Sequence, residues 1–345
     1  MVKTYRDEFE SHGHFLVAVA QAGIDGYSHA DPRLEFSAIA TGLGEGVPSE
    51  GGFLVGHEMA TDLWQKVYDT GQILARCDKQ PVTTGNVLKI PAIDESSRVA
   101  GSRFGGARMF WVDEAETVTA TKPKYRQIQL HPKKLMGLTY ATDELLADAP
   151  ALAAWLGRVF GLEAAFQIED EIVNGSGAGR PLGILNSDAL ITVDAESGQA
   201  SATVVPANLN NMAARLWGPS HRTALWLLAN DAFAQIADDS FSNGAPVVTT
   251  DAQGRRRILG MPVELVEYTP VLGSAGDVVL ADLGQYLIAE IAPDFISSIH
   301  LRFLYDESVF RLRWRIDGQP AWSSPLTPKN SSITQSPFVA LAARP

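Results

Sequence analysis

The segment GSGAGRPLG at positions 175–183 is the first candidate for chemistry, because glycine-rich loops can cradle phosphates. Its spacing does not fit. Arg180 and Pro181 stand where a phosphate loop needs lysine and a hydroxyl residue, and the GxGxxG spacing is not met either. The segment also follows a predicted helix, so no helix N-terminus faces a bound anion. His12 and His14 have ligand spacing but no third donor nearby, and His57, His131, His221 and His300 are scattered without an HExxH pattern. Glu163, Glu169, Asp170 and Glu171 crowd one helix, which is the ordinary composition of an exposed helix face. No GxSxG elbow is present, and Cys77, the only cysteine, has neither a disulfide partner nor a nucleophile signature around it. It reads as a small core residue. No catalytic constellation, cofactor site or metal site emerges, and the chain is not read as an enzyme.

Two basic concentrations remain: Arg255, Arg256 and Arg257, and the alternating Arg311, Arg313 and Arg315. Nucleic-acid contact needs clustered cations, whereas the whole chain has a formal charge of −12. Salt bridges to acids of a neighbouring subunit suit that balance better.

The elements around these residues form an ordinary globular pattern: 345 residues, 46% hydrophobic and 20% charged. No apolar run reaches the 18–20 or so residues of a membrane span, and the N-terminus has no secretory pattern. A cytoplasmic site of synthesis is expected. The longest element is a helix of about 25 residues and about 37 Å, opened by Asp148 and Pro150 and closed by Asn174 and Gly175. Its apolar stripe runs through Leu152, Trp155, Leu156, Val159, Leu162, Phe166 and Val173.

Residues 1–50 read as a loose arm, and residues 56–77 as a helical stretch interrupted at Gly71. NVLKIPAI and YRQIQLHPKKLMGLTYAT alternate like strands and flank about thirty residues with many small and charged positions. That combination predicts a protruding two-stranded arm, since so long an excursion is functional or packs on something outside the chain. Further on come a helix over 205–217, a wholly apolar strand TALWLLA, a helix opened by Asn230 and Asp231, and strands ILGMPVELVEY, DVVLADL and QYLIAEI. SSIHLRFLY, SVFRLRWRI and a closing FVALAA follow. The class is α+β.

The order of these segments resembles the major capsid proteins of tailed bacteriophages, whose fold is shared with encapsulins and the herpesvirus capsid floor. The resemblance covers about residues 51–343 and rests on GGFLVG, NVLKIP, TYATDELLADAP, EDEIVNGSGAGRPLGIL, LWLLANDAFAQIADD, LGMPVELVEYTP, VVLADLGQYLIAE and FRLRWRIDGQPAW. It implies the tailed-phage major capsid fold: an N-terminal arm and first helix (1–76), an extended β-hairpin loop (77–138), a peripheral domain with the spine helix (139–182 and 291–318), and an axial domain (183–290 and 319–345). It further implies a virion protein that self-assembles into pentamers and hexamers of an icosahedral shell around double-stranded DNA, without sequence-specific binding, and with separate scaffolding, portal and decoration proteins. An encapsulin-like compartment with enzyme cargo is the alternative; a soluble hydrolase or nucleotide-binding enzyme ranks below both.

On that reading Arg98, Arg103, Arg108, Asp113, Glu114, Glu116, Glu163, Glu169, Arg311, Arg313 and Arg315 are candidates for contacts between subunits. Gly175, Gly177, Gly179 and Gly183 are candidates for a hinge between domains. Two departures from the family pattern stand out. The first fifty residues lack the charged heptads of a built-in scaffold, and no lysine precedes Lys122 in the loop tip, so the covalent cross-link of some members is not expected.

Overall fold

The computed structural model describes residues 71–345 apart from 84, 94, 100–101, 115–116, 143–150, 243–246 and 303–304. The N-terminal arm, most of the 56–77 helix, the helix-opening residues Asp148 and Pro150, and Glu116 lie outside the described residues.

In chain order the elements are α1 (Gln72–Arg76), β1 (Asp78–Pro81), β2 (Leu88–Ile93), β3 (Tyr125–Leu130), β4 (Lys133–Thr142), α2 (Ala151–Asn174), β5 (Ile191–Val193), α3 (Pro206–Arg215), β6 (Leu225–Leu228) and α4 (Asn230–Ser242). They continue with β7 (Val248–Thr250), β8 (Arg256–Ile258), β9 (Met261–Leu265), β10 (Val278–Ala281), β11 (Tyr286–Arg302), β12 (Glu307–Pro320) and β13 (Phe338–Leu341). The strands form a seven-stranded sheet in the order β5-β13-β10-β6-β9-β8-β7, a four-stranded sheet β1-β11-β12-β4, and the two-stranded β2-β3.

The chain divides into two compact units. One comprises, among the described residues, those of Leu135–Glu163 and Pro293–Trp314. In it the first half of α2 lies on strands that make room for its aromatic rings. A Cβ on Gly137 would stand 2.7 Å from the Phe160 ring, so glycine lets β4 approach the helix. Phe295 touches Gly157 and stacks on Phe310, with ring centroids 6.0 Å apart. Gly161 has no such reason, because a Cβ there meets nothing within 4 Å. Glycine inside a helix costs about 0.5–1 kcal/mol relative to alanine. Gly161→Ala is therefore expected to raise the unfolding free energy by about that amount, read as a higher midpoint in urea.

The other unit comprises Asp69–Lys134, Ala164–Ala292 and Arg315–Pro345. Its core is the seven-stranded sheet. LWLL, VVLA and FVAL are buried at every position, as strands covered on both faces must be. Trp226, Val278, Leu280, Val339 and Leu341 share one cluster with Leu209 and Met212 of α3 and Ile236 of α4. Helix α3 starts at Pro206, whose missing N–H falls where no helical partner exists, and Asn208 Oδ1 accepts from Val205 N at 3.1 Å. The Trp226 indole finds its acceptor in Ile258 O at 3.0 Å.

Candidate assembly surfaces

The expected arm begins as a regular antiparallel ladder. Leu88 faces Leu130, Ile90 faces Ile128, and Ile93 faces Tyr125. Leu130 and Ile128 are buried with Leu287 and Ala289, which roots the hairpin in the body. Beyond it, Ser96 and Arg98 are tied down: Arg98 N donates to Thr327 O (2.8 Å) and Thr327 N to Ser96 O (3.0 Å). Lys124 N donates to Gly105 O at 2.8 Å. Gly105, at φ +72°, lies so close to the Lys124 backbone that a Cβ would stand 2.5 Å from its carbonyl oxygen.

Among the described residues, 107–114 and 117–123 have no regular pairing. Among the many small and charged positions of this excursion stands one apolar run. Met109 and Trp111 are completely exposed, with Phe110 and Val112 between 45% and 46% exposed. The run MFWV was visible in the sequence, and its meaning lay in having no helical or strand partner. Arg103, Arg108, Asp113 and Glu114 are exposed around it. Arg98 is not free to reach outward in the same way, because its Nε lies 3.3 Å from Glu95 Oε1.

The acids of α2 require a correction. Glu163 is exposed, but Glu169 is 1% exposed and lies inside the subunit. Its Oε1 accepts from Leu74 N at 2.9 Å and its Oε2 from the Tyr268 hydroxyl at 3.0 Å. Glu169 thus serves the first turn of α1 with the acceptor that a side-chain cap would otherwise supply, and it has no surface to offer a neighbour. Burial and the adjacent Glu169 push the Tyr268 phenol upward, which keeps its proton in that hydrogen bond. Asp170 accepts from Asn174 Nδ2 at 2.7 Å, and Glu171 pairs with Arg180 at 2.7 Å. In the second half of α2 the expected Val173 is buried, but Ala164, Ile168 and Ile172 replace Leu162 and Phe166 on the buried line.

Cys77 belongs to the same neighbourhood and is the core residue expected. Its Sγ lies 3.3 Å from Ile73 O, and burial, reinforced by Glu169, pushes the thiol up to about 12. The thiolate is the reacting species. Native protein at pH 8 is therefore expected to leave a thiol-specific dye unreacted, with one thiol per chain appearing in denaturant. Rapid labelling of the native chain would contradict this.

The glycine exit of α2 is a closed loop. Gly175 N donates to Glu171 O (2.9 Å), Gly183 N to Gly175 O (2.8 Å), Gly177 N to Pro181 O (3.1 Å) and Leu182 N to Gly318 O (2.8 Å). Added Cβ atoms would stand 2.3 Å from Pro181 O at Gly175 and 2.3 Å from Gly175 N at Gly183. At those two positions of the proposed hinge, glycine is required by close packing against backbone. Gly177 and Gly179 are exposed and hold φ +75° and +79°. Asn174 Nδ2 also donates to Tyr268 O at 2.6 Å, while Asn186 Nδ2 donates to Asn174 O at 2.8 Å, so the helix end is anchored.

On β12 the alternation is as expected. Phe310, Leu312 and Ile316 are buried, and Arg311, Arg313 and Arg315 are half-buried. Arg313 pairs with Asp294 at 2.8 Å, and Arg315 Nη1 lies 3.5 Å from Asn86 Oδ1. Sequence patterning missed a second buried polar centre. Arg344 and Asp277 form an ion pair with side-chain exposures of 1% and 0%. Nothing local in GSAGDVVL or LAARP signals it. Among the described residues no group of His, Cys, Asp or Glu is placed to hold a metal, and no helix is long and apolar enough to cross a membrane.

Comparison with known proteins matches residues 51–329 to the model of the phage capsid family. The major capsid protein of Escherichia phage T5 is 25% identical over 201 residues; the match takes in 55% of this chain and 42% of that protein, so the chain spans less than half the length of that relative. Among solved structures, the capsid of an empty GTA particle superposes with a TM-score of 0.62 at 16% identity, covering 89% of this chain and 100% of its own. Microbacterium phage Oxtober96 gives 0.59 at 11% identity, covering 85% and 98%. The holo-SrpI encapsulin complex of Synechococcus elongatus PCC 7942 gives 0.54 at 13% identity, covering 83% and 92%. The α+β fold is that of these shells. The chain belongs to the phage capsid family.

Proposed function

We propose that many copies of this chain close into pentamers and hexamers of an icosahedral shell enclosing double-stranded phage DNA. The observation that supports this best is the family match over residues 51–329. The exposed Met109 and Trp111 add to it, because an apolar run held out in water is a contact surface awaiting its partner. Each copy would make several modest contacts, and multivalency in closed rings would supply the stability. The loop of residues 77–138 would lie across a neighbouring subunit. Residues 139–182 with 291–318 would form the peripheral domain, and 183–290 with 319–345 the axial domain. Gly179, where an added Cβ would meet nothing within 4 Å, would be the exit glycine with the most room to move. Scaffolding, portal and decoration proteins would be separate chains, the host cytoplasm the place of assembly, and the net charge of −12 would keep the lattice from gripping DNA by sequence.

Electron microscopy of the expressed protein tests the reading: uniform icosahedral particles support it, and a monodisperse monomer at high concentration overturns it. Ultraviolet absorbance ratio and gels of purified particles separate a DNA-filled shell from an encapsulin-like one holding a protein cargo. On a denaturing gel the shell protein should run as a single band near 37.2 kDa, with no ladder of cross-linked forms.

A further inference from the structure

Asn174 is the last residue of α2 and Gly175 the first beyond it, which makes this junction one of two Asn-Gly pairs in the chain. The other, at 243–244, lies outside the described residues. Asn-Gly is the pair in which asparagine deamidates most readily, because glycine has no Cβ to obstruct the attack of its nitrogen. A bond forms between the glycine N and the asparagine Cγ, the Cγ–Nδ2 bond breaks, and ammonia leaves with the glycine proton. Water then opens the cyclic imide to aspartate or isoaspartate, so no other co-reactant is needed. The helix exit cannot avoid this pair. A Cβ at position 175 would stand 2.3 Å from Pro181 O and 2.4 Å from Glu171 O. Position 174 needs two amide hydrogens, one for Asp170 Oδ1 at 2.7 Å and one for Tyr268 O at 2.6 Å.

Every group the reaction must move is held. The attacking Gly175 N donates its hydrogen to Glu171 O at 2.9 Å. The leaving Nδ2 of Asn174 has both hydrogens committed to Asp170 and Tyr268. Asn186 Nδ2 donates to Asn174 O at 2.8 Å and to Gly175 O at 3.1 Å, and Gly183 N donates to Gly175 O at 2.8 Å. The peptide plane between Asn174 and Gly175 is thereby fixed on both sides and cannot turn its nitrogen toward Cγ. We infer that Asn174 is a latent deamidation site, silenced while the loop of residues 175–186 is closed on the helix end and exposed to reaction when that loop opens. The change is one-way. A carboxylate at position 174 would face two acceptors, one of them the Asp170 carboxylate one turn back, and like charges at that spacing repel. Each deamidated copy would lose the anchor between α2 and the β9–β10 connection. The chemistry belongs to the folded subunit and does not depend on assembly.

The test holds the full chain at mildly alkaline pH, native and in guanidinium chloride, and follows the mass gain of the peptide carrying Asn174. In denaturant Asn174 is expected to deamidate as fast as in a short synthetic peptide of the same sequence. In the native chain it is expected to be slower by about a hundredfold or more, because local opening must come first. Asn186→Ala, at an exposed side chain, frees the peptide plane and is expected to raise the native rate about tenfold while cooperative urea unfolding persists. Asp170→Ala frees Asn174 Nδ2 and is expected to act in the same direction, so either variant suffices if the other fails to fold. Asn174→Asp is expected to lower the urea midpoint. A native rate equal to that in denaturant overturns the silencing. Folded variants that deamidate at the unmodified rate overturn the clamp, and an unchanged midpoint for Asn174→Asp overturns the loss of the anchor.

Discussion

Arg344→Met is expected to cost about 3–5 kcal/mol of unfolding free energy, the usual penalty for stranding one partner of a buried ion pair. The guanidinium is fully engaged. Nη2 meets Asp277 Oδ2, Nη1 donates to Ala342 O at 2.8 Å, and Nε donates to Thr203 O. Asp277 Oδ2 also accepts from Gly273 N at 2.8 Å. Arg344 N and O are bonded as well, to Gly273 O at 2.7 Å and from Ala202 N at 2.9 Å. Losing the side chain leaves a carboxylate without a countercharge at a site with no solvent. Asp277→Ala should cost a similar amount, leaving the guanidinium stranded. Replacing both, Asp277→Leu with Arg344→Met, should recover a substantial part, because two apolar groups of similar volume need no solvation. Urea unfolding of the four proteins measures this; equal stability of Arg344→Met and the unmodified chain would show the pair to be dispensable.

The second large effect falls on assembly and leaves folding alone. Removing residues 108–120 and joining the ends with a short Gly-Ser linker should leave a soluble subunit with an unchanged urea midpoint and abolish particles. The bases of the projection already lie together, with Arg108 N 3.5 Å from Thr121 Oγ1, so a linker closes the gap without strain. A deletion starting at Ser96 would be less discriminating, since it also removes the pairing of Ser96 and Arg98 with Thr327. Normal particles from the shorter deletion, in negative stain, would remove the tip from any role in assembly.

Much of this fold was legible in the residues. Period-two alternation located β2, β3 and β12. The uninterrupted LWLL run marked a strand buried on both faces, FVAL a closing strand, and a long run with neither period between two strands marked the arm. Those signals succeed because they depend on neighbours in sequence. Glu169 shows where they fail. Helical spacing sees only residues three or four away, while the groups that bury this carboxylate are Leu74 and Tyr268, 95 and 99 positions distant. The Asp277–Arg344 pair spans 67 positions and was equally silent. The glycines of the GSGAGRPLG segment were candidates for a hinge. At Gly175 and Gly183 glycine is present because another stretch of backbone occupies the space of a side chain.

The strand order also constrains when a subunit comes into being. β13, the last described strand to be synthesised, inserts between β5 and β10 in the seven-stranded sheet, and before it the ribosome must deliver β11 and β12, which belong to a different sheet. Val278–Ala281, buried at every position, has only β6 beside it until then. A nascent chain that stalls after β12 therefore keeps one open edge in the middle of its largest core. Closure of that edge comes after translation has passed every surface proposed for assembly. A chain truncated before β13 is therefore expected to keep an unfinished seven-stranded sheet, seen as a lost cooperative urea transition.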